Sequence, residues 1–401
     1  MINDNNKHSW CVNADHAMSA NNSGSTKICC MIENDENMTL TQNTIQENFQ
    51  KIEFVKIREE LQNGIRNFRC RLCWEEEDAG RKSKRLRDNE KYIGHINKGG
   101  EPFNGLAKFE LNLGNTCNLK CRTCAPHSSS TWMQEEYDIY EKRKYSSFKI
   151  YAHEMKKYHQ TFDDDSNFWP DLENNLHTIK QFDFYGGEPF MSKKMWRTLQ
   201  MAVDKGYSKD IEVHYATNAT HWPTENIEVL KHFKHLNLNF SIDGIGDQFE
   251  YIRYPAMWEE AKENMLKARE FARTHHDVHV SWCHTISNMN IFYLPELLDT
   301  FYKDFSYFGI YLNLVHGPKY FNISYMPDNV KEKLIPKLEA IDKSYEVWQN
   351  FLPGVINFIK VGKYDPAHWN KFKEKIKIHD EYRNQDFSMT FPKWAKIIGI
   401  K

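Results

Sequence analysis

The chain has 401 residues, 40% of them hydrophobic, which is enough for one large domain with a smaller companion or for two to three ordinary domains, and which excludes a disordered chain. With 53 Lys and Arg against 55 Asp and Glu the formal net charge is -2, so composition gives no broad electrostatic case for nucleic acid or an anionic membrane as partner. No apolar run approaches the roughly 18 to 20 residues of a membrane span, and the polar start "MINDNNKHSW" lacks the basic and apolar regions of a signal peptide, so a cytoplasmic protein is the expectation.

Residues 1 to about 100 are polar, rich in Asn and Lys, and broken by "NNSGST" and "NKGGEPFNG", which predicts a separate small unit. Within it "QNTIQENFQKIEFVKIREELQNGI" has helical periodicity, and "CWEEEDAGRKSKRLRDNEKY" reads as a charged helix whose basic run, Arg81 to Arg87, is expected to be a solvated face. Neither offers a large core, and a small unit short of apolar residues often needs a metal to hold it. From Ala107 the pattern changes to short apolar strands alternating with amphipathic helices. The predicted strands are "AKFELNL", "IKQFDFYG", "IEVHYAT", "LNLNFSID", "VHVSWCHT" and "FGIYLNLV", with helices beginning near Ser129, Lys193, Thr224, Trp258 and Leu294. Six strands alternating with helices imply an α/β fold with a parallel sheet, open or curled into a partial barrel, whose chemistry sits at the carboxyl ends of the strands. After Pro318 follow a helical stretch, "NVKEKLIPKLEAIDKSYEVWQNFL", and an aromatic, basic tail, which is expected to pack over the sheet or against the N-terminal unit.

Nine cysteines are many for a reduced compartment, where clustered thiols more often bind metal or do redox chemistry than form disulfides. Cys117, Cys121 and Cys124 stand in "CNLKCRTC", directly after the first predicted barrel strand. Tetrahedral zinc and ordinary iron–sulfur sites want four protein ligands, and only three are present. The loop suits a [4Fe-4S] cluster with one iron lacking a protein ligand; zinc completed by His127 or a distant Cys is the alternative. "YGGEPFM" follows the second strand, where two glycines let backbone approach a ligand and Glu188 can accept hydrogen bonds from an ammonium. "TNAT" with Asn218 and "SIDG" with Ser241 and Asp243 end the next two strands, either as turns or as groups for ribose hydroxyls. A second set is formed by Cys11, the adjacent Cys29 and Cys30, and Cys70 and Cys73 in "CRLC", while Cys283 is expected as a buried thiol on a strand.

In order and spacing, "CNLKCRTC", "GGEP", "TNAT" and "SIDG" resemble the radical S-adenosylmethionine (SAM) superfamily over about residues 105 to 320. The resemblance implies a partial (β/α)6 TIM-like barrel at residues 101–320, with a small N-terminal iron–sulfur module at 1–100 and a C-terminal helical segment at 321–401 packed on it. It further implies that Cys117, Cys121 and Cys124 carry a [4Fe-4S] cluster whose open iron chelates SAM, that Gly186, Gly187 and Glu188 cradle the methionyl amine, and that Ser241 and Asp243 meet the ribose, with Asn218 at the same site. One electron would then split SAM to a 5'-deoxyadenosyl radical that abstracts hydrogen from a substrate, an oxidoreductase chemistry fed by a donor such as flavodoxin or ferredoxin. The aromatic residue usual before the third cysteine is Thr123 here.

Cys11, Gly24 separated by four residues from Cys29, and the pair Cys70 and Cys73 resemble the auxiliary-cluster twitch or SPASM modules, which normally follow the barrel rather than precede it. Four thiolates from Cys11, Cys29, Cys70 and Cys73 would close a second, auxiliary [4Fe-4S] cluster, with Cys30 able to stand in for Cys29 and a structural zinc as the alternative. Enzymes with such modules commonly act on peptides, so a peptide or protein substrate is expected, with a nucleoside or sugar as runner-up. A zinc-binding interaction protein on a degenerate barrel is the alternative from another class.

Overall fold

A computed structural model describes residues 3–32, 39–97, 105–143, 167–275 and 277–400, with side chains left aside from 93 to 97; the predicted junction at residue 100 lies outside them. The six predicted strands form as β3 (Lys108–Asn112), β4 (Gln181–Tyr185), β5 (Glu212–Thr217), β6 (His235–Ser241), β7 (Val278–Ile286) and β8 (Gly309–Leu314). They pair in that order and all in parallel. Helices Lys193–Asp204, Trp258–Thr274 and Leu294–Thr300 begin where predicted, the last with a proline in its first turn; the one expected near Thr224 is a single turn, Ile227–Leu230. The result is the partial-barrel sheet expected of alternating strands and crossovers.

Alternation along the strands separates two faces. One carries Phe109, Leu111, Phe182, Phe184, Val213, Tyr215, Leu238 and Trp282, all buried and sharing a core with Met195, Leu199, Trp258 and Met265 of the covering helices. The other carries Lys108, Glu110, Gln181, Asp183, His214, Asn239 and Ser281. An alternating polar face ordinarily meets water, yet Lys108, Glu110, Gln181 and Asp183 are all buried.

The first hundred residues cover that face. Strand β1 (Ala17–Ala20) runs parallel to β3, and β2 (Thr26–Lys27) folds back on β1, so the sheet has eight strands in the order β2-β1-β3-β4-β5-β6-β7-β8. The segment expected to stand alone thus extends the barrel sheet, and its Phe49, Phe54, Ile57 and Leu61 belong to the barrel's core. Helix Lys84–Asn97 lies along the polar face. Lys84 pairs with Glu110 at 3.1 Å and Asp88, Lys108 with Asp88 and with Asp183 at 3.0 Å, and Lys91 with Glu212 at 2.7 Å. The basic run expected to face solvent is instead packed inside: Arg81, Ser83 and Arg85 are buried, and Arg85 pairs with Glu77 at 2.6 Å. The physical reason is compensation at Lys84 and Arg85, which find carboxylates at Glu110 and Glu77, whereas Arg81 is held by a backbone carbonyl. At the far edge Glu76 meets His316 at 3.0 Å and Arg81 donates to the Leu312 carbonyl of β8, so the segment spans the sheet from β3 to β8.

The C-terminal segment supplies helices Asp328–Glu339, Leu352–Val361, Pro366–Arg383 and Pro392–Ile398, whose Leu334, Leu338, Val355, Phe372 and Trp394 form a second core with Leu312 and Leu314 of β8. It also reaches the N-terminal segment, where Asn357 donates to the Ala79 carbonyl at 2.8 Å. No helix among the described residues is long and apolar enough to cross a membrane.

Candidate active site

The three-cysteine loop leaves the carboxyl end of β3 and is fastened on several sides. Its backbone N–H groups at Lys120 and Arg122 donate to the carbonyls of Tyr254 and Ile252 at 2.6 and 2.7 Å. The hydroxyls of Ser129 and Thr131 both donate to the Leu119 carbonyl, and the Trp132 indole donates to that of Cys121 at 2.7 Å. The side chain of Arg122 turns away from the cysteines onto the C-terminal segment, where it meets Asp380 at 2.5 Å and Gln385. Beside it Arg383 donates to the Lys120 carbonyl and pairs with Glu135 at 2.8 Å, both side chains fully buried. The C-terminal segment therefore braces the loop as well as the sheet.

All nine cysteines are free thiols. Burial pushes Cys121 up to about 12 and Cys124 up to about 11, and raises Cys117 as well, with Cys121 close enough to feel both of the others. Three converging thiols held neutral by burial suit a site that gives up its protons to a metal cluster. This donor set fits the open cluster that the spacing implies.

The "GGEP" turn sits against this loop. Gly187 donates to the Ser128 carbonyl at 3.0 Å and Glu188 to that of Thr116 at 2.8 Å, which ties the second motif to the first. Gly186 and Gly187 adopt φ of 80° and 54°, and a Cβ at Gly187 would lie 2.2 Å from the Thr116 carbonyl oxygen, so only glycine permits this approach. The buried Glu188 carboxylate accepts from Thr217 Oγ1 at 2.8 Å, the Asn218 N–H at 2.7 Å and the Phe190 N–H at 3.2 Å. Burial still outweighs these bonds and lifts its pKa to about 7. Asn218 reaches Cys117 Sγ at 3.8 Å and Asn118 at 2.9 Å, so "TNAT" also joins the cysteine loop.

Ser241 ends β6 opposite Cys283 of β7 and is half-buried. Asp243 is buried with both carboxylate oxygens engaged, one by the Thr285 N–H at 2.9 Å and the other by Arg253 at 2.7 Å. Arg253 in turn places Nη1 3.9 Å from Cys121 Sγ. Sequence reasoning missed Arg253, Arg122, Glu135 and Arg383, because the contacts of Arg253 with Cys121, Arg122 with Asp380 and Glu135 with Arg383 each join residues more than a hundred positions apart. Thr123 is half-buried within the loop, and His127, weighed as a zinc ligand, is exposed.

The N-terminal cysteines also converge. Cys11, Cys29, Cys70 and Cys73 line one cavity together with Ile28, Ile32, Leu61 and Trp74. Burial raises Cys11, and raises Cys70 to about 12, with Cys11 feeling both Cys73 and Cys70. Cys30 is absent from that lining, but its sulfur lies within 4.8 Å of the Cys29 sulfur and of the Glu110 carboxylate, and its N–H donates to Glu110 at 2.9 Å.

Residues 111–282, which hold all three loop cysteines, "GGEP", "TNAT" and "SIDG", match the family model described as the Radical SAM superfamily. No curated protein sequence matches the chain. Among solved structures, Streptococcus suis SuiB bound to its precursor peptide SuiA aligns at 12% identity over 77% of this chain and 56% of its own, with a TM-score of 0.35. SuiB bound to SAM aligns at 12% identity over 85% and 62%, and anSMEcpe with bound SAM at 14% over 70% and 62%, each with a TM-score of 0.35. The chain thus spans 56 to 62% of the length of these structures. The family match thus places a radical SAM domain at residues 111–282, the stretch that holds the three-cysteine loop and the turns packed against it.

Proposed function

We propose that this enzyme carries two clusters, one at Cys117, Cys121 and Cys124 that binds SAM and a second at Cys11, Cys29, Cys70 and Cys73, and that it acts on a peptide or protein. The observation that carries the second cluster is the cavity lined by four thiols from three separate stretches of chain. A closed set of four thiolates satisfies a cluster fully and suits electron relay or substrate anchoring. The substrate class follows from the likeness of these cysteines to modules of peptide-modifying enzymes.

Bound cluster and SAM would supply radical hydrogen abstraction, the step the protein's own side chains cannot perform. The chain's residues do the rest. Cys117, Cys121 and Cys124 would give three thiolates, and the Gly186–Gly187 turn, which only glycine lets pack this closely on Thr116 and Asn112, holds Glu188 beside the cysteine loop. Glu188 holds a carboxylate ready for its ammonium, Asn218 fixes Cys117, and Ser241 offers a hydroxyl at the strand end for the ribose. Helix Lys84–Asn97 fills the polar barrel face and keeps water from it. We place the iron–sulfur module at 1–100, the barrel at 101–320 and the bracing helices at 321–401, in a cytoplasmic enzyme served by a flavodoxin- or ferredoxin-type donor.

Anaerobic purification tests this reading. About eight irons per chain are expected, four for each cluster, together with 5'-deoxyadenosine release after reduction in the presence of SAM. Cys121→Ala abolishes that release, whereas Cys70→Ala removes about half the iron and leaves it possible. Zinc without iron would overturn the proposal.

A further inference from the structure

We propose that Arg253, held by Asp243, sets the reduction potential of the cluster at Cys117, Cys121 and Cys124; the inference rests on the reading of those cysteines as a cluster site. The guanidinium lies between two groups, with Nη2 2.7 Å from Asp243 Oδ2 and Nη1 3.9 Å from Cys121 Sγ. Its place is fixed by backbone on both flanks. The carbonyl before it, Ile252, accepts from Arg122 and the carbonyl after it, Tyr254, accepts from Lys120, so the Arg253 segment is zipped to the loop on either side of Cys121. Asp243 is fixed as well, through the Thr285 N–H to its Oδ1 and Asn290 Nδ2 to its backbone carbonyl at 3.0 Å.

A cation and an N–H donor at a ligand sulfur favour the added electron and so raise a cluster's potential. The carboxylate behind it opposes that effect. The pair therefore has a sign signature: removing the cation lowers the potential, and removing the carboxylate's charge raises it. Arg253 acts through Cys121 and is a positioning residue.

The test is an anaerobic redox titration of reconstituted full-length protein followed by electron paramagnetic resonance, reading the signal that changes on addition of SAM. Arg253→Met is expected to disfavour reduction at least tenfold, about 59 mV for one electron. Asp243→Asn is expected to move it the other way, and Arg253→Lys, which keeps the charge, to shift it less than the methionine variant. If Arg253→Met fails to fold, Asp243→Asn and Arg253→Lys still carry the sign. Unchanged potentials, or Met and Asn variants shifted in the same direction as a purely structural role requires, would overturn the inference while leaving the cluster assignment intact. Absence of any cluster in the unaltered protein would overturn both.

Discussion

Arg383→Met probes the brace on the cysteine loop. Arg383 and Glu135 are both fully buried at 2.8 Å, and breaking such a pair costs about 3–5 kcal/mol because the remaining charge is stranded. The lost N–H donation to the Lys120 carbonyl adds about 1 kcal/mol. Against this, Lys120 keeps its ammonium 3.1 Å from the other Glu135 oxygen and is 22% exposed, so part of the carboxylate's charge stays balanced. The net expectation is about 3 kcal/mol, a loss of roughly 100-fold in the folding equilibrium. Urea unfolding of the metal-free protein, followed by tryptophan fluorescence, measures it. Glu135→Leu alone should cost a similar amount, whereas the double variant should recover most of the loss, since an apolar pair of similar volume is close to neutral. A coupling energy below about 0.5 kcal/mol in that cycle would refute the argument that the tail holds the loop through this pair.

Gly187→Ala should weaken SAM binding at least tenfold in equilibrium dialysis, because a left-handed φ costs about 1–2 kcal/mol and the clash with the Thr116 carbonyl must displace backbone; unchanged affinity would count against the close approach. SAM affinity should depend on Glu188, which titrates near 7: below that pH the group takes up a proton and loses the charge an ammonium pairs with, so affinity falls about tenfold per unit of pH. Above about 7 it levels off, and a flat profile from pH 5.5 to 8 would exclude Glu188 as the partner. Cys29→Ala should lose about four irons while Cys30→Ala retains them, and equal losses would show that the cavity lining misidentifies the ligand.

The fold and the motif-bearing strand ends were legible because both are local. Six apolar runs such as "FELN" and "FDFY" carry the two-residue period of a strand, and each motif sits directly after its strand. What was hidden depends on distant partners. Lys108, Glu110 and Asp183 show the alternation of a strand facing water, and Arg81, Lys84 and Arg85 show that of a solvated helix. Only in three dimensions do these two apparently wet surfaces meet, with Lys84 against Glu110 and Asp88 against Lys108. Arg253 and Arg383 carry no sequence signature, since a single arginine near a proline or in a charged helix is ordinary.

The reach of the N-terminal segment from β3 to β8 also dictates an order of events during synthesis. Glu76 waits for His316, 240 residues later, and Arg81 for Leu312, 231 residues later. At about 5–20 residues per second the ribosome needs roughly 10 to 50 s to deliver those partners. During that interval the charged plug is in solution and the barrel's polar wall is still being laid down strand by strand. The four N-terminal thiols, with every residue that lines their cavity, belong to the part made first, whereas the wall is completed much later. Closure of the barrel is therefore a late, long-range step.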